Sequence, residues 1–477
     1  MIDKIILVSY LEVSEPILFC KKTPENAMLI EFRVANYRSI GEEQVLSLVP
    51  ASNQKEHSEN IIQKGKHKAL NAVAIYGANA SGKSNLLKAM SMLGKLINFS
   101  ARFSSTTKLP YDPFLLREDW INKPTFLEIV FLIAEDRYRY GVAFNQNEIV
   151  SEWLFRKSIG REVNLFQRSK DIIDVSSGFK GSSKTIDAAI EATRDNALFL
   201  STCDMLNIEE AKNILHWFEK YIIIDGLKTE HQAITTISLW DDQKYRQKIQ
   251  EYFTSLNFGI VDLEVADQDF DPLALPEQIP DEFKNFLINE LTGSKKYTFS
   301  SKHRVYDSQC EETGKFQTWE LNKNESPGTQ KAFHLSGPVL SVLMNGGVLI
   351  IDEIEGKLHP IMTLHTINMF LNKQTNPNNA QLIFATHDTN LLSYANLRRD
   401  QIYFTEKNHW ESTEFYSLSD FIYRGKKNTI SKKERPDTDK EKRYFEGRYG
   451  AIPVLGNFNP VQLKSNGKER QVKTKDN

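Results

Sequence analysis

The sequence predicts an α/β fold, and three observations carry that prediction. Ala72-Val73-Ala74-Ile75-Tyr76 is a short apolar strand that runs into a glycine-rich loop and then into helical spacing from Asn85 to Leu93. Val348-Leu349-Ile350-Ile351, preceded by Gly346-Gly347, is apolar throughout, as a central strand covered on both faces must be. Gln381-Leu382-Ile383-Phe384-Ala385-Thr386 gives another buried strand after a helical stretch from His365 to Leu371, and that alternation is the α/β pattern.

Leu29 to Val34 and Gln44 to Val49 both alternate about the Arg38-Ser39-Ile40-Gly41 turn, so a hairpin is expected over 28–49. Three further alternating runs, 125–132, 137–144 and 149–155, read as an antiparallel meander. From Ile186 to about Glu219 apolar residues recur at helical spacing, which begins a helical lobe. Residues 225–325 are less regular: helices are expected at 247–256 and 283–291, and 267–280 is acidic and carries prolines. Gln330 to Met344 reads as a helix, and beyond Arg424 an excess of basic residues without periodicity reads as a basic tail. The expected organisation is an extension or mis-called start over 1–27, the first half of the α/β lobe over 28–185, a helical insertion over 186–329, the second half over 330–423, and the tail over 424–477.

A chain of 477 residues exceeds what one hydrophobic core holds, which requires a second domain or a large insertion. With 40% hydrophobic and 26% charged residues and a formal charge of -2, the composition is that of an ordinary soluble globular protein rather than a disordered or membrane one, and the charge alone names no partner. Cys20, Cys203 and Cys310 form no CxxC pair, so neither a zinc site nor a disulfide framework is supported, and a reducing cytoplasm fits. No apolar run approaches the roughly 18 residues of a membrane span.

The chemistry concentrates at the ends of the predicted strands. Gly77-Ala78-Asn79-Ala80-Ser81-Gly82-Lys83-Ser84 satisfies the phosphate-loop pattern in full. Its glycines let backbone N–H groups face phosphates, Lys83 reaches the outer phosphates of ATP, and the Ser84 hydroxyl ligates Mg²⁺. Asp352 and Glu353 end the 348–351 strand on the same sheet edge, so Asp352 is placed to hold the hydrated Mg²⁺ and Glu353 to polarise the attacking water. The alternative for the pair is helix capping. His387 follows the 381–386 strand and projects from that edge, beside Asp388, with a γ-phosphate or water contact expected. Glu325-Ser326-Pro327-Gly328-Thr329-Gln330 leads into a helix, and a plain N-cap is its alternative reading. Glu434 with Asp437 and Asp439 mimics a metal cluster but reads as solvated tail.

Together these stretches resemble the ABC-type ATPase heads of the SMC, RecF and OLD group. Gly77–Ser84 resembles the Walker A motif, Glu325–Gln330 the signature motif, Val348–Glu353 the Walker B motif with its catalytic glutamate, His387 the switch histidine, and Glu355–Pro360 the D-loop region. Leu29–Ile40 and Tyr444–Pro453 look like the compact abortive-infection ATPases of the RloA/AbiL type. The resemblance implies ATP hydrolysis with Mg²⁺ in a homodimer or higher oligomer, where Ser326 and Gly328 complete the ATP site of another copy. It also implies an ATP-binding role for Arg38, for which a solvated turn arginine is the alternative. A nucleotide-gated regulator of a separate nuclease-like effector in phage defence follows from it. A DNA-binding repair-type ATPase, with Lys426, Lys427, Lys432 and Lys433 on phosphates, is the competing reading. Three departures stand out: no Q-loop glutamine is evident between 101 and 116, Pro327 occupies a signature position, and the residues after Tyr423 are too few for a TOPRIM domain. No heptad tract for a long coiled-coil arm interrupts the head.

Overall fold

The computed structural model describes residues 27–269, 284, 288, 295–423, 432, 433, 435 and 438–453. Its centre is a six-stranded sheet in the order Tyr221–Asp225, Val348–Asp352, Gln381–Ala385, Ala72–Gly77, Ile402–Lys407 and Thr413–Ser417. The first five strands are parallel and the last is antiparallel. Parallel alignment brings Asp225, Asp352, Ala385 and Gly77 to one edge, with the Gln381–Ala385 strand between the other two apolar strands.

Alternate residues of these strands enter different cores, which explains why both faces had to be apolar. Val73, Ile75, Ile350 and Ile383 join the helix Lys83–Phe99 and the large antiparallel sheet in one cluster. Ala72, Ala74, Tyr76, Leu349, Ile351 and Phe384 pack instead with the helices Pro327–Asn345 and Pro360–Leu371.

The expected hairpin and meander form a single seven-stranded antiparallel sheet. Its order is Ile172–Val175, Val163–Ser169, Ile149–Lys157, Asp136–Phe144, Thr125–Ile133, Met28–Ala35 and Gln44–Ser47. The fold is thus α/β with an added antiparallel sheet, as expected, and the strands from Val163 and Ile172 extend the meander.

The stretch expected to be a helical lobe is mixed. Helices Ser183–Ala192, Phe199–Met205 and Glu209–Phe218 are present, but Tyr221–Asp225 then returns to the six-stranded sheet. After helices Ala233–Trp240 and Gln243–Ser255 comes a three-stranded antiparallel sheet, Ile260–Asp269, Lys295–Tyr306 and Glu312–Glu320. Residues 312–319 are all exposed, so no buried stripe marks that strand in the sequence. Most of 267–280 and of the helix expected at 283–291 lies outside the described residues, as do residues 1–26.

Part of the expected tail folds back onto the sheet. Tyr444, on the helix Lys440–Phe445, stacks on Phe404 at 5.5 Å and meets Tyr76 edge-on at 6.0 Å, and Tyr449 is fully buried beside Phe404. Two tyrosines buried in one short segment outweigh its local excess of charge. Lys426, Lys427, Glu434, Asp437 and the side chains of Lys432 and Lys433 lie outside what is described. Among the described residues no helix is long and apolar enough to cross a membrane.

Candidate functional site

The loop after Ala72–Gly77 is clamped by the last two strands of the sheet, Ile402–Lys407 and the edge strand Thr413–Ser417. Ser81 Oγ lies 2.6 Å from Thr405 Oγ1, and Thr413 Oγ1 donates to the Ser81 carbonyl at 2.8 Å. Gly82 caps the helix Lys83–Phe99 at φ 113°, where a Cβ would also collide with Thr413. Only glycine satisfies both constraints. The first turn of that helix contains no acidic residue, so its free N–H groups and positive dipole end face the loop unopposed. Lys83, 5% exposed, donates to the carbonyls of Gly77 at 2.8 Å and Ala78 at 3.2 Å. Burial draws its ammonium down to about 8, against the pull of Asp352, Glu353 and Glu355.

The acidic side of the edge is built by close backbone packing. Gly226 donates its N–H to the Asp352 carbonyl at 2.8 Å, and a Cβ there would run into the carbonyls of Asp352 and Glu353. Glu353 turns out of the strand at φ 49°, a conformation uncommon for a residue with a side chain. Burial, then Asp352, Glu355 and Asp225, hold its carboxyl above the usual range, so it is a better proton acceptor than a solvated glutamate. Asp352 Oδ1 is buried and has no hydrogen-bond partner among the described residues, the condition of a carboxylate oxygen left for a cation.

Glu355 fixes the neighbouring turn. Its Oε2 accepts from Thr386 Oγ1 at 2.7 Å and its Oε1 from the His387 N–H at 2.6 Å. His387 is exposed, but partial desolvation and then Lys83 lower its imidazole pKa, which favours the neutral ring near pH 7. Asp388 Oδ1 instead accepts from Asn390 N at 3.0 Å and Nδ2 at 2.7 Å.

Lys83, Asp352, Glu353 and His387 therefore share one edge and one electrostatic environment. Arg38 is engaged by Asp112 at 2.8 Å. Its neighbour Ser39 accepts from Asn85 Nδ2 at 2.7 Å and turns its own hydroxyl proton to Thr413 Oγ1 at 2.8 Å, which seats the turn against the phosphate-loop helix. Ser326 caps the helix Pro327–Asn345, accepting from Thr329 N at 3.2 Å, while a Cβ on Gly328 would come within 2.9 Å of the Lys357 carbonyl. No hydrogen bond among the described residues joins Ser326 or Gly328 to residues 77–84.

Sequence reasoning missed several members of this edge. Asp225 lies in register beside Asp352. The apolar run Tyr221-Ile222-Ile223-Ile224 closed by Asp225-Gly226 was the signal that could have found it. Thr405 and Thr413 carry no motif, because they act through the loop they support.

No curated protein matches the chain. Among solved structures it is similar to the SMC head bound to the C-winged helix domain of ScpA, at 15% identity and a TM-score of 0.43, over 82% of this chain and 98% of that one. The SMC head domain from Thermotoga maritima gives 12% and 0.38, again over 82% and 98%. The recombination mediator protein RecF-ATPrS of the RecFOR pathway gives 14% and 0.33, over 82% and 99%. A family model described as "AAA domain, putative AbiEii toxin, Type IV TA system" matches residues 72–393, from the phosphate-loop strand to beyond His387. That match takes in well over half of the chain, which therefore belongs to this AAA-domain family of P-loop ATPases.

Proposed function

We propose that the chain hydrolyses ATP at the Gly77–Ser84 loop, with Glu353 as the general base and a second copy completing the site. The observation that carries this reading is the convergence of Lys83, Asp352, Glu353 and His387 on one sheet edge. Lys83 exchanges the carbonyls of Gly77 and Ala78 for phosphate oxygens, a replacement in kind because both partners are acceptors. Glu353, held with a raised proton affinity, takes the proton of the attacking water. Neutral His387 offers a hydrogen bond to the γ-phosphate or to that water.

Ser84 and Asp352 fit Mg²⁺, on the evidence of the orphaned Asp352 oxygen. The chemistry such a cation supplies when bound is neutralisation of phosphate charge. Arg38, released from Asp112, adds a cation at the loop's flank.

Ser326 and Gly328, which cap a helix in their own chain, serve the nucleotide of a second protomer in this reading. The family's description, with its toxin and toxin–antitoxin system, supports a place in bacterial defence. Within that setting we read the chain as a cytoplasmic ATP-gated switch that controls a separate nuclease-like effector. The test is turnover against protein concentration, read alongside light scattering with and without ATP. ATP-dependent dimers whose specific activity rises with concentration support the shared site, and turnover independent of concentration in a monomer contradicts it. Turnover stimulated by DNA in a salt-dependent manner would favour the repair-type reading instead.

A further inference from the structure

Lys331 has no part in the reading above, yet it is 1% exposed. It lies in the second turn of the helix Pro327–Asn345, whose cap is Ser326. Its ammonium crosses to the loop after Val348–Asp352 and donates to the carbonyls of Ile354 at 2.9 Å and Glu353 at 3.4 Å. Among the described residues no carboxylate stands within ion-pair distance of it; Glu355, Glu353 and Asp225 act from farther away and Lys357 opposes them.

A buried cation without a direct counter-charge is costly, so a purely packing role is poorly served by lysine. What the cation holds is the backbone of Glu353, the residue with φ 49°, whose carbonyl also accepts from Gly356 N at 3.0 Å. On the other side of the contact, Gly328 packs against the Lys357 carbonyl. The helix start and the loop 353–357 thus touch backbone to backbone, with Lys331 as the polar tie between them.

We propose that Lys331 is a positioning residue that fixes Glu353 and ties it to the Ser326–Gly328 turn, so that a displacement of that turn is transmitted to the general base of the same chain. The proposal rests on the hydrolysis reading. It makes each protomer's base responsive to whatever its own signature turn engages, which is how two sites in one dimer would sense each other.

The test compares wild type, Lys331→Met and Glu353→Gln by nucleotide Kd and by kcat. Lys331→Met is expected to keep Kd within about threefold while kcat falls at least about tenfold, because a small misplacement of a catalytic group costs rate rather than binding. Loss of packing alone would not give that split, since nucleotide binding requires the same folded sheet. If Glu353→Gln stalls while Lys331→Met turns over at the wild-type rate, the positioning role is wrong and hydrolysis by Glu353 stands. If Glu353→Gln turns over at the wild-type rate, both fail. Should Lys331→Met not fold, Lys331→Arg takes its place. Its planar group must shift the 353–354 carbonyls, so kcat is expected to fall at least about threefold with Kd unchanged, and wild-type kcat would overturn the proposal.

Discussion

Two buried lysines serve the same sheet edge in different ways. Lys83 and Lys331 each donate to two backbone carbonyls, each is drawn by burial to about 8, and each feels Glu353 and Glu355. The carbonyls of Lys83 belong to its own loop, five and six positions back. Those of Lys331 belong to a different element, 22 and 23 positions on. A local partner can be given up to a ligand without moving anything else, whereas a distant partner makes the lysine a tie between elements. Replacing the first should therefore cost binding, and replacing the second should cost rate.

The largest effect that would break this comparison is at Lys83. Lys83→Ala should weaken nucleotide binding by at least about a hundredfold, or roughly 2.7 kcal/mol, in a calorimetric titration. Affinity within a few fold of wild type would remove the distinction between the two lysines.

An effect of similar size is expected on the Lys331 helix from pH. His334 is buried against Thr229 at 3.2 Å, and desolvation pulls its pKa to about 4 from 6.5. The folded state refuses a proton that the unfolded chain accepts, so stability is intact above about pH 6.5 and declines as pH falls toward 4, by up to about 3 kcal/mol. Denaturant midpoints measured across that window should fall for wild type and stay flatter for His334→Gln.

Smaller effects separate two glycines of the Lys83 helix. Gly82→Ala meets Thr413 at φ 113° and should destabilise by about 2 kcal/mol while weakening nucleotide binding. Gly94→Ala meets only Tyr221 at 3.7 Å, an ordinary contact, and should stabilise by about 0.5–1 kcal/mol in thermal denaturation.

The same contrast explains what the sequence made legible. The strands Ala72–Gly77, Val348–Asp352 and Gln381–Ala385 are buried on both faces, so they read as unbroken apolar runs with their chemistry directly after them. Glu312–Glu320 buries almost nothing and left no pattern to read, and Tyr221–Asp225 was passed over because it follows closely on the helix Glu209–Phe218. Lys83 announces itself through glycines that the loop geometry demands. Lys331 looks like any helical surface lysine, because its two partners are carbonyls, and carbonyls have no residue type. Tyr444 and Tyr449 stand in a stretch that carries the resemblance, but the basic residues around them masked their burial.

The central claim is that Glu353 is the base of an ATPase whose phosphate cradle is Gly77–Ser84. Single-turnover hydrolysis of labelled ATP by wild type and Glu353→Gln, at protein concentrations that saturate binding, tests it most directly. The account predicts equal nucleotide binding and a rate for Glu353→Gln lower by at least about a hundredfold. Hydrolysis by Glu353→Gln at the wild-type rate would contradict it.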